Sequence, residues 1–141
     1  MDAEYRVLSH TADTGVEAFA DTFETVLAAA AVGMFATMYD LSAINPTGQI
    51  TLSVPLADRQ DELLVDALSE LLYRSETEDL VATEVTVSSD RMGGELHLVA
   101  ATATTAGLEL QGAPVKAVTY HDLDVAQLPT GRWRARLYFD T

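Results

Sequence analysis

The sequence predicts an α+β domain spanning residues 1–141, with two helices packed on one face of a mainly antiparallel or mixed β-sheet. Three observations lead there. Two stretches, around 21–39 and 58–74, repeat apolar residues at helical spacing, and shorter alternating segments surround them. The element order is strand-strand-helix, strand-helix, then a run of strands. At 141 residues the chain is one domain by length and buries a core without staples.

Glu4 to Leu8 suits a pleated surface and reads as a first strand. Val16 to Ala20 reads as a second. Between them lies His10-Thr11-Ala12-Asp13-Thr14-Gly15, polar and glycine-ended, which predicts a loop or turn. Asp21 is placed to cap the next helix, with Glu24 reaching back to it three residues on. That helix is expected to reach about Tyr39, with Phe23, Val26, Leu27, Ala30, Met34 and Met38 on its buried stripe and Phe35 widening it. Its methionines read as core filling.

Asn45 to Gly48 is a turn, and Ile50 to Val54 an alternating strand closed by Pro55. A second helix follows, capped by Asp58 or Asp61, with Arg74 in its last turn as the helix dipole favours. Leu64, Ala67, Leu68, Leu71 and Leu72 form its buried stripe, while Glu62, Asp66 and Glu70 form its wet side. Glu84 to Ser88 and Glu95 to Ala101 alternate around a glycine-bearing hairpin turn at Asp90 to Gly94. Residues 106–114 read as a loop. Val115 to Asp122 reads as a half-buried strand, Leu128 to Gly131 as a turn, and Trp133 to Phe139 as the final strand.

Composition removes whole classes of function. There is no cysteine, so disulfides, thiolate catalysis and cysteine-based zinc sites are excluded. The start lacks a basic region followed by an apolar run, and no apolar run is long enough to span a bilayer. A cytoplasmic protein with no membrane association is expected. The net charge of −14 repels phosphate backbones, so direct nucleic-acid binding is not expected. Such a surface favours cations or a basic protein partner, although adaptation to salt explains the overall charge equally well.

Three features resist a purely structural explanation. The first two are the opening loop and the end of the chain. Asp140 and the α-carboxylate of Thr141 are adjacent anions, and Asp13 makes a third if the fold brings it near. Such oxygen donors suit calcium, magnesium or manganese, and clustering them without a cation raises a pKa or destabilises the fold. The contrary reading is a solvated chain end. The third is Lys116-Ala117-Val118-Thr119-Tyr120-His121-Asp122, which holds the only lysine. His121 and Asp122 could form an acid-base pair. Neighbours on a strand face opposite ways, which argues against it.

These residues also carry a resemblance. The histidine-threonine-alanine-aspartate stretch at 10–13 with Gly15, the Asp21-Thr22-Phe23-Glu24 helix start, Gly33-Met34-Phe35, the 115–122 run and the terminal Phe139-Asp140 are similar to the archease family over essentially the whole chain. The resemblance implies a small α+β protein that acts with an RtcB-type RNA ligase. Its members promote guanylylation and multiple turnover of that ligase in tRNA splicing and RNA repair, and are not themselves the enzyme. It further implies a divalent cation, calcium by family pattern, held by Asp13, Asp140 and Thr141. Lys116 matches a family position linked to function, at the surface that meets the ligase, with His121 in the same run. Thr14 and Thr141 depart from the aliphatic residues usual at their positions. Two other readings stay open: a stand-alone metal-dependent enzyme using His121 and Asp122, and a general chaperone or assembly modulator.

Overall fold

The computed structural model describes residues 3–8 and 14–141. In chain order it comprises β1 (Glu4–Leu8), β2 (Thr14–Ala20), α1 (Phe23–Ala36), β3 (Gly48–Pro55), α2 (Gln60–Glu78), β4 (Leu80–Asp90), β5 (Glu95–Thr104), β6 (Ala117–Val118), β7 (Asp124–Gln127) and β8 (Trp133–Asp140). A short 3-10 turn at Leu41–Ala43 follows the first helix. The α+β class and the antiparallel pairing are as expected. The strands divide, however, into two sheets. One runs β1-β2-β8, with β6 and β7 sharing the far edge of β8; the other runs β3-β5-β4. Alternation shows which face of a strand is buried and leaves its neighbour open, so the sequence carries no mark of this division.

Both helices lie against both sheets. Helix α1 contacts β1, β2 and β8 on one side and β4 on the other; α2 contacts β3 and β4, and also β6 and β7. This placement explains why α1 exceeds its predicted stripe. Ala29, Ala30 and Ala31 are all buried, although successive helical residues point in different directions. Gly33 marks the closest approach: a Cβ there would sit 2.7 Å from Val16 Cγ1 and 3.2 Å from Tyr5 Cδ1.

The helix ends differ from their predicted chemistry. Thr22, not Asp21, caps α1. Its hydroxyl accepts from the Thr25 N–H at 3.1 Å, and its own N–H donates to Thr25 Oγ1 at 3.2 Å, a reciprocal box that leaves Glu24 free for Ser89. At α2 neither Asp58 nor Asp61 is the cap. Arg59 holds that position without a side-chain hydrogen bond, while Asp61 lies inside the first turn and accepts from the Glu62 N–H at 2.7 Å. Helix α2 continues to Glu78, so Arg74 lies before the last turn, where it pairs with Glu78. Asp79 then stops the helix in a left-handed conformation (φ 54°). The buried stripe of α2 contains all five predicted residues together with Leu63, Val65 and Ser75.

The 115–122 run is not one strand. Only Ala117 and Val118 pair with β8, opposite Asp140 and Phe139; β8 pairing resumes at Asp124, opposite Arg136. Five residues thus loop out of the edge where β8 advances by two, and Asp122 takes a left-handed conformation there (φ 52°). On the outer face of the same sheet Arg6, Glu17, Arg136 and Asp124 line up in register across β1, β2, β8 and β7, with alternating charge. Arg6 donates to the buried Glu17 carboxylate from Nε at 2.9 Å.

Candidate functional site: the end of the last strand

Strand β8 is anchored by apolar side chains and ends in polar ones. Leu137 and Phe139 are buried, and the alternation of the strand turns Asp140 to the opposite face, where it is exposed. Phe139 is paired on one side with Thr14 of β2 and on the other with Val118 of β6. Glycine is required one position further along β2: a Cβ on Gly15 would lie 2.6 Å from the Tyr138 ring. Beyond Val118, the Lys116 N–H donates to the Asp140 carbonyl at 2.7 Å. Lys116 itself is exposed, between buried Val115 and half-buried Ala117.

The fold therefore brings the Lys116 backbone against that of Asp140. Asp13, with His10 and Thr11, lies outside the described residues; its covalent neighbour Thr14 is paired with Phe139, the residue before Asp140. Among the described residues, no group of three or more histidine, aspartate or glutamate side chains is placed to hold a metal ion. The donors that Asp140 offers at this corner, a side-chain carboxylate and a carbonyl, are oxygen and suit a hard cation.

His121 is placed otherwise. It sits in the looped-out turn closed by the Leu123 N–H to the Tyr120 carbonyl, and its Nε2 lies 3.2 Å from Asp122 Oδ2. Because the segment is a turn and not a strand, these two neighbours face each other. Both side chains are about 70% exposed, at 72% and 70%, so their attraction is screened by water. Beside them Tyr120 stands over the start of α2. Partial burial, then the carboxylates of Asp66, Glu62 and Asp61, push its phenol above the ordinary value of 10.0. Asp61 moves the opposite way: the Arg59 guanidinium, bonded at 2.5 Å, holds its carboxyl below 3.8. The sequence placed Asp61 only as a cap, and gave no sign that residue 120 would meet residues 61–66.

Lys116 also lines a cleft of about 530 Å³ between the C-terminal ends of the two helices. Sequence reasoning missed it, since its walls come from α1, α2, the start of β4 and the 105–116 loop.

What the fold defines is a two-sheet α+β protein in which the Lys116 backbone meets Asp140 where the last strand ends. The chain belongs to the archease family: residues 5–141 match the Archease protein family. It is 33% identical to the archease of Pyrococcus furiosus over 134 residues, covering 93% of this chain and 94% of that one. It is also 33% identical to the archease of Methanosarcina barkeri, covering 97% and 95%. In structure it resembles Methanobacterium thermoautotrophicum protein 1598 with a TM-score of 0.78 and 28% identity, covering 97% of this chain and 98% of that one. A Thermotoga maritima protein described as an archease and possible chaperone shares the fold, with a TM-score of 0.63 and 18% identity over 95% of this chain and 94% of that one. Among the described residues, no helix is long and apolar enough to cross a membrane.

Proposed function

We propose that this chain is a metal-binding accessory protein that activates an RtcB-type RNA ligase in the cytoplasm, promoting its guanylylation and repeated turnover in tRNA splicing and RNA repair. The observation that carries the reading is the pairing around the end of β8. Thr14, next to Asp13, meets Phe139 on one side, and the Lys116 N–H meets the Asp140 carbonyl on the other. Residues that lie at opposite ends of the sequence thus converge on one exposed corner.

Asp13, Asp140 and Thr141 would hold the cation, calcium first, with magnesium and manganese also suited to such donors. When bound, that cation supplies positive charge for phosphate oxygens. Lys116 adds a donor-only point charge at the same corner, which can orient a phosphate without accepting a proton from it. Positioning of this kind is enough to speed phosphoryl-type transfer inside a partner enzyme. The net charge of −14 supports docking to a basic RNA-binding enzyme over binding RNA itself.

Asp13→Ala and Asp140→Ala are each expected to abolish stimulation of the ligase in a guanylylation assay while circular dichroism and melting stay unchanged. If both variants stimulate normally, the corner is not the working site. The His121–Asp122 contact favours a second reading, a metal-dependent enzyme acting alone; turnover without ligase, lost in His121→Ala and kept in Asp13→Ala, would establish it. The chaperone description of the Thermotoga relative predicts instead that suppression of client aggregation survives Asp13→Ala.

A further inference from the structure

The cleft beside Lys116 has an apolar floor that includes Phe35, Leu72 and Val115, and its rim carries Leu110, which is 50% exposed. Its polar rim is lopsided. Glu76 and Asp79 stand at the end of α2, and Lys116 is the only cation among the lining residues. The C-terminal end of the α2 dipole adds partial negative charge on the same side. The outer wall, residues 105–116, is tied at three points. The Thr105 N–H donates to the Asp79 carbonyl at 2.9 Å, the Gln111 N–H to the Met38 carbonyl at 2.6 Å, and the Lys116 N–H to the Asp140 carbonyl at 2.7 Å. The cleft is therefore formed before anything enters it, and an occupant does not have to order its walls.

We propose that this cleft seats an apolar side chain of a partner polypeptide whose neighbouring arginine or lysine pairs with Glu76 and Asp79. This rests on the function proposed above and identifies where the ligase is gripped. An apolar floor beside two carboxylates selects a cationic, aliphatic or aromatic segment and rejects an anionic one. A second copy of this chain is a poor occupant, because two surfaces of charge −14 repel. Because Lys116 belongs both to the rim and to the corner at Asp140, a segment anchored here holds the partner against that corner.

The test is calorimetric titration of the full chain into an RtcB-type ligase. Three variants are compared: Leu110→Ser and Glu76→Lys in the cleft, and Tyr73→Ser, an exposed α2 residue outside it. The cleft variants are expected to weaken binding by about tenfold or more, as loss of an interface anchor does. Their melting is expected to stay unchanged, and Tyr73→Ser to bind like the parent. A photoreactive benzoylphenylalanine replacing Leu110 is expected to crosslink to a ligase peptide in which an apolar residue adjoins arginine or lysine. Undiminished binding by both cleft variants overturns the proposal and leaves the ligase-activator function standing. So does a crosslink to a second copy, or to a peptide without a basic residue. Failure of the unaltered chain to bind the ligase overturns both.

Discussion

Helices α1 and α2 touch the same two sheets and are built in opposite ways. Helix α1 carries Ala29, Ala30 and Ala31 in succession, all buried, and no face of its central turns is polar. Helix α2 alternates a leucine-rich stripe with exposed Glu62, Asp66 and Tyr73. Small side chains let α1 fit between β2 and β4, where a wider helix would push the sheets apart. Helix α2 keeps one side in water, and there it bears the carboxylates that face Tyr120 and, at its end, those that rim the cleft. The difference separates a helix that holds the domain together from one that presents a surface.

The sharpest way to break that contrast is to put a charge on each helix. Ala31→Glu places an unpaired carboxylate in a fully buried position, which costs about 3–5 kcal/mol, much of the stability of an ordinary domain. Loss of a cooperative urea transition is expected. Asp66→Ala on the wet side of α2 is expected to change stability by no more than about 0.5 kcal/mol. Similar costs for the two would mean that α1 is less enclosed than its burial indicates.

A smaller effect tests the close approach of α1. Gly33→Ala gains about 1 kcal/mol of helix propensity. Against that, the new Cβ meets the buried Val16 side chain at 2.7 Å, and such overpacking costs about 1–3 kcal/mol. Tyr5 can yield because it lies at the edge, whereas Val16 is fully buried. A net loss is expected in urea melts. Smaller again is the cap. Thr22→Ala removes the hydroxyl half of the α1 box, keeping the residue-22 N–H to Thr25 Oγ1, and is expected to cost about 1 kcal/mol, while Arg59→Ala at α2 loses no side-chain cap at all.

How legible these features were depends on how local their cause is. Both helices were readable, because spacing within one segment decides them. The α1 cap was misassigned between neighbours, since Asp21 and Thr22 are both good caps and only the backbone turn chooses Thr22. The two-sheet division and the shape of the 115–122 run were not readable, because they depend on which distant strand lies alongside. Lys116 and Asp140 stood out as polar oddities in the sequence; their contact comes from the β6–β8 pairing. The cleft draws its walls from four separate segments, so no single stretch signals it. Glu17 lies inside the strand of residues 16–20 and is buried beside Arg6, a partner on another strand that alternation within one segment does not signal.

The gentlest probe of the surface helix is its first turn. The Arg59 guanidinium lowers the Asp61 carboxyl by direct hydrogen bonding, and by charge alone it also opposes the rise of the Tyr120 phenol. Arg59→Ala is therefore expected to raise both titrations, Asp61 back towards 3.8 and Tyr120 further above 10.0, read by NMR on the carboxyl and by ultraviolet absorbance on the phenol. The consequences for stability have opposite pH windows. The Asp61 contribution, from a lowered carboxyl, is present above its unfolded value and is lost as acid is added through its folded one. The Tyr120 contribution, from a raised phenol, is present at neutral pH and is lost as base is added through its folded value. A purely local contact would move Asp61 alone. Movement of Tyr120 as well shows that the looped-out turn of residues 119–123 and the acidic face of α2 form one electrostatic surface.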